Sequence, residues 1–157
     1  MLSIDEAYVK SRLAGGPGGG QSSDRLLELF REMPRAEQRH GIRVCRALEA
    51  RGFEDPDLLV AALFHDAGKM LDPPRLWGRV LVVLVERFLP RVAARWSSGM
   101  AKGLRRAFVV RRRHPYWGAE LVAEAGASPR TVALIRSHDQ PAGEDELLAA
   151  LQRADEG

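Results

Sequence analysis

The sequence predicts an all-α fold, and three observations support this fold class. Apolar residues recur at spacings of three and four along most of the chain, which is the pattern of helices that bury one face. Helix-starting pairs such as Asp-Pro and Ser-Pro, and glycines at helix ends, separate these stretches. No stretch alternates β-branched and polar residues in the manner of a strand.

The first segment, 1–33, is predicted to contain two helices joined by a Gly-rich loop. A short helix covers 1–13, and a second begins at Asp24 and ends near Met33. The loop over 15–20 reads Gly-Gly-Pro-Gly-Gly-Gly, but it lacks the Gly-Lys-Ser/Thr ending of a phosphate-binding loop, and no strand precedes it. We therefore interpret it as a flexible connection.

The second segment, 34–157, begins with a helix that carries His40. A proline suits its first turn, and Gly52 suits its end. His40, Val44 and Leu48 are four residues apart, so His40 is predicted to lie on the face that packs against the core.

The next predicted helix begins at Asp55-Pro56 and is apolar nearly throughout, as expected for a helix in the centre of a core. It ends at His65 and Asp66, and Gly68 follows. Neighbours on a helix point in different directions. Adjacent His65 and Asp66 can therefore face one point only where the helix ends and the backbone turns.

Positive charge is concentrated in an insert over 73–113, which holds eleven Lys or Arg residues and a single acid, Glu86. Helices are predicted over 75–96, with a kink near Pro90, and over 101–112. Such charge indicates an anionic partner: a phosphorylated substrate, a nucleic acid or an acidic lipid surface. We interpret the insert's apolar and aromatic stripe as core or as a lid over the site. Contact with a membrane surface and a dimer interface are the alternatives.

Three further helices are predicted in the C-terminal part. They run from His114-Pro115 to Gly126, from Ser128-Pro129 to His138, and over 144–156, which carries Asp155.

The composition argues against several classes of protein. The one cysteine, Cys45, excludes an internal disulfide framework and is compatible with the cytoplasm, the predicted location. Its apolar neighbours predict a buried thiol rather than a nucleophile. The N-terminus lacks the apolar stretch of a secretory signal, and no run approaches the ~20 apolar residues that span a bilayer. No nucleic-acid-binding motif is visible, so no specific nucleic-acid partner is predicted.

All four histidines of the chain lie near predicted helix ends or on an apolar face. A lone histidine in such a place is more often a hydrogen-bonded structural residue than a ligand. Four histidines that all lie in such places form a stronger pattern. Imidazole and carboxylate groups together suit a divalent transition metal. The sequence therefore predicts a metal site.

The order of these residues resembles the HD-domain superfamily of metal-dependent phosphohydrolases over about residues 34–156. The segment 65–69, His-Asp-Ala-Gly-Lys, is similar to the family's His-Asp-Ile-Gly-Lys box, and 114–121 is similar to its His-Pro-x-x-Gly-Ala-x-Leu segment. Ile135-Arg-Ser-His and Leu151-Gln-Arg-Ala-Asp resemble the two elements that follow. The resemblance implies an HD-domain-like helical bundle with an inserted basic helical segment.

The resemblance also implies a site for two divalent ions, drawn from Mn, Fe, Co, Mg, Ni and Zn. The first ion would be held by His40, His65, Asp66 and Asp155, and the second by His114 and His138, with Asp66 bridging the two.

Asp66 and Lys69 are the catalytic residues that the resemblance implies, because the family's lysine at this place faces the substrate phosphate. Arg111 and Arg113 belong to a run of three arginines directly before the histidine of the next helix. With Lys69, they are the candidates for binding a small phosphorylated substrate. Asp139 makes a second His-Asp doublet, and we interpret it as exposed at a helix end or as a partner that orients a histidine.

Three functional hypotheses follow. The leading one is a phosphohydrolase that cleaves a small phosphate ester or nucleotide by metal-activated water. A branch of the same superfamily looks similar in its ligands but uses a mixed-valence di-iron centre and dioxygen, so an HD-type oxygenase is the second. The third is a non-catalytic HD domain that binds a nucleotide through the insert. The Gly-Tyr-Pro signature of the cyclic-dinucleotide branch does not occur in the sequence, so that substrate is not predicted.

Overall fold

The computed structural model describes residues 5–15, 19–71, 85, 91 and 106–157. These residues contain seven α-helices, a short 3₁₀ turn and no strand, so the all-α prediction is confirmed for this part of the chain. The helices are α1 (Glu6–Ala14), α2 (Gly19–Glu32), α3 (Arg35–Ala50), α4 (Pro56–Phe64), α5 (Arg106–Glu124), α6 (Pro129–Ser137) and α7 (Glu146–Asp155), and the 3₁₀ turn covers Ala67–Met70. Most of the predicted insert, including its predicted helix over 75–96, lies outside the described residues.

Helix α4 is the centre of the core. All its residues from Leu58 to Phe64 are buried, and it packs against α1, α3, α6 and α7. A helix surrounded in this way has to be apolar on every side. Asp55 caps it by accepting a hydrogen bond from the backbone N–H of Leu58 at 2.9 Å, and Pro56 occupies its first turn. The predicted start of this helix is therefore confirmed.

Helices α1 and α2 contribute to the same core as the other described helices. The ring of Phe30 in α2 meets the ring of Phe64 edge-on, with centroids 5.8 Å apart. The prediction that Asp24 begins α2 is wrong, because α2 begins at Gly19 and contains Asp24. Ser23 donates a hydrogen bond to the carbonyl of Leu13 at 2.9 Å. Such tertiary contacts extend the helix into residues whose own helix propensity is low.

The predicted start of helix α5 is wrong. His114-Pro115 was expected to open a helix, but α5 runs without a break from Arg106 to Glu124, with Pro115 inside it. Proline fixes φ near its helical value, and its missing N–H leaves only one carbonyl of the preceding turn without its helical partner. The helix packs against both the 3₁₀ turn and α6. We infer that this packing outweighs the local cost of the proline.

Two glycines let backbone segments approach closely beside the predicted ligands. A Cβ atom at Gly41 would lie 2.6 Å from the carbonyl oxygen of Leu63, where α3 crosses α4. A Cβ atom at Gly68 would collide with the carbonyl oxygen of His114, where the 3₁₀ turn lies on α5. Only glycine fits at these two crossings, and they hold the His40 and Asp66 regions against their neighbours.

Cys45 and membrane-spanning segments are the subjects of two further predictions. Cys45 is buried, as predicted, and burial raises the pKa of its thiol to about 11. Among the residues that were searched, no helix combines the length and the apolar character needed to cross a membrane.

Candidate metal centre

The six predicted ligands come together at one place, partly buried and partly exposed, although they come from five different helices or helix ends. They form two groups, and the ligand atoms within each group lie within 4.8 Å of one another. The first group consists of His40, His65 and Asp155, and the second group consists of Asp66, His114 and His138. By this geometry each group could hold a metal ion.

In the first group, Asp155 meets both histidine rings. Its Oδ1 lies 2.6 Å from Nε2 of His40 and 3.2 Å from Nε2 of His65, and the two Nε2 atoms are 3.2 Å apart. The last residue of α7 thus reaches across to α3 and to the end of α4. In the second group, Nε2 of His114 lies 3.2 Å from Nε2 of His138 and 3.4 Å from Oδ1 of Asp66.

Asp66 lies between the two groups and presents one oxygen to each side. Its Oδ2 is 3.6 Å from Nε2 of His65 and 3.7 Å from Nε2 of His40. Its Oδ1 faces His114, in the second group. A carboxylate placed in this way could share its two oxygens between two cations.

The end of α4 explains how His65 and Asp66 both face the centre. His65 still has helical dihedral angles, φ −54° and ψ −30°, whereas Asp66 leaves the helix with φ −98° and ψ 5°. The change of direction between them turns the aspartate beside the histidine. The prediction that the helix ends at this pair is confirmed.

Three of the four histidine rings are oriented by the backbone of their own helix. In each of them Nδ1 lies within hydrogen-bonding distance of a carbonyl oxygen three or four residues earlier: Ala62 for His65 at 3.0 Å, Val110 for His114 at 3.3 Å and Ile135 for His138 at 2.8 Å. A carbonyl can only accept, so Nδ1 carries the hydrogen in these rings. Their Nε2 atoms then point into the centre, as metal-binding histidines do.

The facing nitrogens of the second group give a direct test of whether a cation fits. With their Nδ1 hydrogens directed to carbonyl groups, His114 and His138 turn their Nε2 atoms toward each other at a separation of 3.2 Å. When both rings are neutral, each of these Nε2 atoms carries a lone pair. Two lone pairs at this distance repel unless a proton or a cation lies between them. The donor set of imidazole and carboxylate groups therefore suits a transition metal.

The carboxylates of the centre are held in their charged form. Burial alone would raise the pKa of Asp66, but the charges of His65 and Lys69 hold that pKa well below its usual range. Hydrogen bonds from His40 and His65 likewise hold the pKa of Asp155 well below its usual range. Both carboxylates are thus ionised at neutral pH, as metal ligands must be.

The pKa values of two buried histidines of the centre, His65 and His138, are shifted in opposite directions. Burial and the nearby charge of His65 lower the pKa of His138 to about 4, so this ring is neutral and ready to act as a ligand. Burial alone would lower the pKa of His65, but the charges of Asp66 and Asp155 raise it above its ordinary value. Metal binding to the first group therefore has to displace any proton held by His65.

Lys69, for which the resemblance implies a catalytic role, lies beside Asp66. Its Nζ donates a hydrogen bond to Oδ2 of Asp66 at 2.5 Å and lies 4.0 Å from Oε2 of Glu37. Lys69 belongs to the 3₁₀ turn, which packs closely against α5 at Gly68.

Among the described residues of the centre, the side of the first group is the more exposed one. The side chains of Asp155, Lys69 and His40 are 35%, 27% and 23% exposed, whereas those of His65 and His114 are 1% and 8% exposed. A small molecule in solution would therefore meet His40, Asp155 and Lys69 first.

Of the two arginines predicted to bind substrate, only Arg113 has a side chain within the described part of the chain. Arg113 is exposed, and among the described residues no hydrogen bond or ion pair joins it to the six ligands. The side chain of Arg111 lies outside the described residues. Asp139 is exposed beside His138 and is not part of either group.

Two residues that the sequence interpretation missed lie beside the centre. Glu37 is buried near Lys69, and Arg43 contacts the ring of His40 through Nη2 at 3.2 Å. Both are three residues from His40 on α3, one on each side. Helix residues at that spacing share a face, so the position of His40 was the signal that could have found them.

Comparison of the chain with models of known families, with curated proteins and with solved structures finds no match. The molecule is therefore defined by its own features: an all-α fold around His and Asp groups that could bind metal.

Proposed function

We propose that this protein is a metal-dependent phosphohydrolase that acts on a small phosphate ester or nucleotide. The observation that carries the proposal is Asp66, whose two oxygens face the two histidine groups. The ligand order that resembles the HD-domain superfamily supports it. In this proposal His40, His65 and Asp155 hold one ion, His114 and His138 hold the other, and Asp66 contributes to both.

Two bound divalent ions would stabilise the charge that develops on a phosphoryl group and would lower the pKa of water in the site. The side chains of the protein supply the other charges of the site. Asp66 and Asp155 supply two negative charges against four positive charges from two such ions, so the site attracts an anion. Lys69, about a quarter exposed at 27% beside Asp66, adds a further positive charge on the more exposed side, where it can bind an oxygen of the phosphate.

The backbone carbonyls that orient three of the rings keep these ligands in place before any ion or substrate arrives. Such preorganisation is what a catalytic centre needs, because the ligands do not have to be rearranged during the reaction. The buried position of the second group excludes water from that side of the centre.

Oxygenase chemistry is the second candidate, because four imidazole ligands also suit a pair of iron ions. The two candidates differ in the metal and in the co-substrate. An oxygenase would contain iron with a mixed-valence spin signal and would consume dioxygen, whereas a phosphohydrolase would release inorganic phosphate without it.

The test is elemental analysis of the purified protein, followed by assays with a panel of phosphate esters and nucleotides under Mn²⁺, Co²⁺, Mg²⁺, Ni²⁺, Zn²⁺ and Fe²⁺. We expect phosphate release that requires a divalent ion and is lost in His65→Ala and Asp66→Ala. Asp139→Asn is the matched control, because Asp139 is also an aspartate after a histidine but is exposed. Bound metal with no phosphate release from any ester would count against the proposal, and a mixed-valence iron signal would favour the oxygenase.

A further inference from the structure

His40 differs from the other three histidines in what its Nδ1 atom contacts. The other three Nδ1 atoms bond to backbone carbonyls, which accept. Nδ1 of His40 instead lies 3.2 Å from Nη2 of Arg43, an exposed residue one turn further along α3. An arginine has five N–H donors and no acceptor. His40 therefore has to accept at Nδ1, so this nitrogen carries no hydrogen.

The contact on the opposite edge of the ring agrees with this tautomer. A neutral imidazole has one hydrogen, and with Nδ1 accepting, that hydrogen is on Nε2. Nε2 of His40 lies 2.6 Å from Oδ1 of Asp155, a short distance for a hydrogen bond from a ring N–H to a carboxylate. Arg43 and Asp155 thus hold the ring between a donor and an acceptor, and both favour a hydrogen on Nε2.

This tautomer is the wrong one for a metal ligand. Nε2 is the atom of His40 that faces the centre, and it can bind a cation only with its lone pair, after it has lost its hydrogen. The hydrogen of the neutral ring must then be on Nδ1, where it would face the donor of Arg43. Two donors cannot share one hydrogen bond, so the Arg43–His40 contact and metal binding at Nε2 exclude each other.

We propose that Arg43 competes with a metal ion for His40. Metal binding to the first group requires the ring of His40 to lose one proton at Nε2 and to gain one at Nδ1, with no net change on this residue, and it requires Arg43 to leave. The guanidinium is then released on the more exposed side of the centre. Arg43 is a positioning residue in this role, because it acts through the ring of His40. The proposal rests on the metal-binding part of the proposed function.

The test uses metal-free full-length protein titrated with Co²⁺ against a competing chelator. Arg43→Met removes the donor, and Arg43→Glu replaces it with an acceptor for a hydrogen on Nδ1, the arrangement that supports metal-binding histidines elsewhere. We expect Arg43→Met to bind Co²⁺ about tenfold more tightly than the wild type, and Arg43→Glu to bind it more tightly still.

The matched controls are Arg46→Met and Arg46→Glu, which make the same changes of charge one turn further along the same helix. Arg46 is paired with Asp5 at 2.8 Å and does not contact a histidine. We expect these two variants to stay within about twofold of the wild type, because the Arg46 side chain is 54% exposed and its charge is screened by salt. Equal tightening in the Arg43 and Arg46 variants would overturn the proposal, as would an unchanged or weaker affinity in Arg43→Met.

A second measurement separates this proposal from the proposed function. The ¹⁵N shifts of the histidine rings in the metal-free protein, assigned with His40→Asn, report which nitrogen carries the hydrogen. We expect His40 to carry it on Nε2 in the wild type and to shift toward Nδ1 in Arg43→Glu. A hydrogen on Nδ1 of wild-type His40 would overturn the inference. Failure of every variant to bind a divalent ion would overturn the metal site itself, whereas ion binding that is indifferent to Arg43 would overturn only this inference.

Discussion

Lys69 donates a hydrogen bond at 2.5 Å to Oδ2 of Asp66, the same oxygen that faces His40 and His65. The ammonium group therefore neutralises the carboxylate on the more exposed side, that of the first group. A phosphate that arrives on this side would meet a cation already attached to the centre.

The first prediction follows from that pair. We expect Lys69→Met to lower kcat for a phosphate ester by about 10²- to 10³-fold, as the removal of one preorganised donor to a developing charge does. Its metal content should stay unchanged, because Lys69 is not a ligand. Lys69→Arg, which keeps the charge, should retain more activity. Loss of metal in Lys69→Met would show that the lysine acts on the ligands and not on the substrate.

The second prediction concerns the bridging position of Asp66. We expect Asp66→Asn to weaken the binding of both ions by about 100-fold or more, since the amide has a single acceptor oxygen and no charge. His138→Gln should weaken only one of the two ions, because His138 belongs only to the second group. Titration of each variant with Co²⁺ measures both affinities. Equal losses in the two variants would contradict a bridging role.

The third prediction concerns the pH dependence of the metal-free protein. The pKa of His138 is about 4 in the folded state and about 6.5 in the unfolded chain, so the folded state binds fewer protons between these values. Stability is therefore lost as the pH falls from about 6.5 to about 4, by roughly 3 kcal/mol from this residue. His65 has the opposite sign: its pKa is raised, so its contribution is fully present below about 6.5 and is lost at higher pH.

Urea unfolding of the metal-free protein at several pH values between 4 and 6.5 measures this loss. His138→Gln has no titrating ring and should show a clearly flatter profile over the same range. The depressed pKa values of Asp66 and Asp155 add a further loss at lower pH, below about 4, where unfolded aspartates gain protons. A profile that is unchanged in His138→Gln would show that His138 is not the titrating group.

The fourth prediction concerns the two close backbone crossings. We expect Gly68→Ala to destabilise the fold by about 3 kcal/mol or more, because the added Cβ would meet the carbonyl oxygen of His114 and backbone cannot move aside cheaply. Gly41→Ala should have a similar effect at Leu63. The control is Gly20→Ala in α2, where a Cβ meets nothing within 4 Å. That change should stabilise the helix by about 0.5–1 kcal/mol, and chemical unfolding compares all three.

The fifth prediction concerns Cys45. Its thiol is buried and its pKa is raised to about 11, so little thiolate is present at neutral pH. We expect a thiol reagent to react with the native protein about 100-fold or more slowly than with the protein in urea. Rapid reaction in the native state would mean that α3 opens locally beside this residue.

Helix starts were predicted correctly from the sequence where a local signal and the tertiary packing agree. Asp55-Pro56 and Ser128-Pro129 cap α4 and α6 as predicted, because a side-chain oxygen before a proline satisfies the helix start without help from the rest of the fold. The set of six ligands was implied by the resemblance to the HD-domain order of histidines and aspartates, and the structure brings these six residues together in two groups.

Helix bounds and side-chain contacts were not predicted from the sequence where tertiary packing overrides a local signal. Pro115 marks a helix start by its chemistry, but α5 continues through it because both neighbouring turns are packed. Their spacing of three from His40 places Arg43 and Glu37 on the same face of α3, but the sequence does not show which atoms their charged groups contact. Their roles depend on the direction of the His40 ring, which only the assembled centre determines.

The hydrogen bonds of His65, His114 and His138 to carbonyls of their own helices have a consequence for mutational tolerance. The orienting atoms belong to residues 62, 110 and 135, but they are main-chain atoms, so side chains there can change for packing while the ring partner stays the same. The partner at Nδ1 of His40 is a side chain, and a single codon change at position 43 can remove it. Under the proposed competition between Arg43 and a metal ion, a substitution at position 43 would change metal affinity while leaving the backbone partners of the other three rings in place.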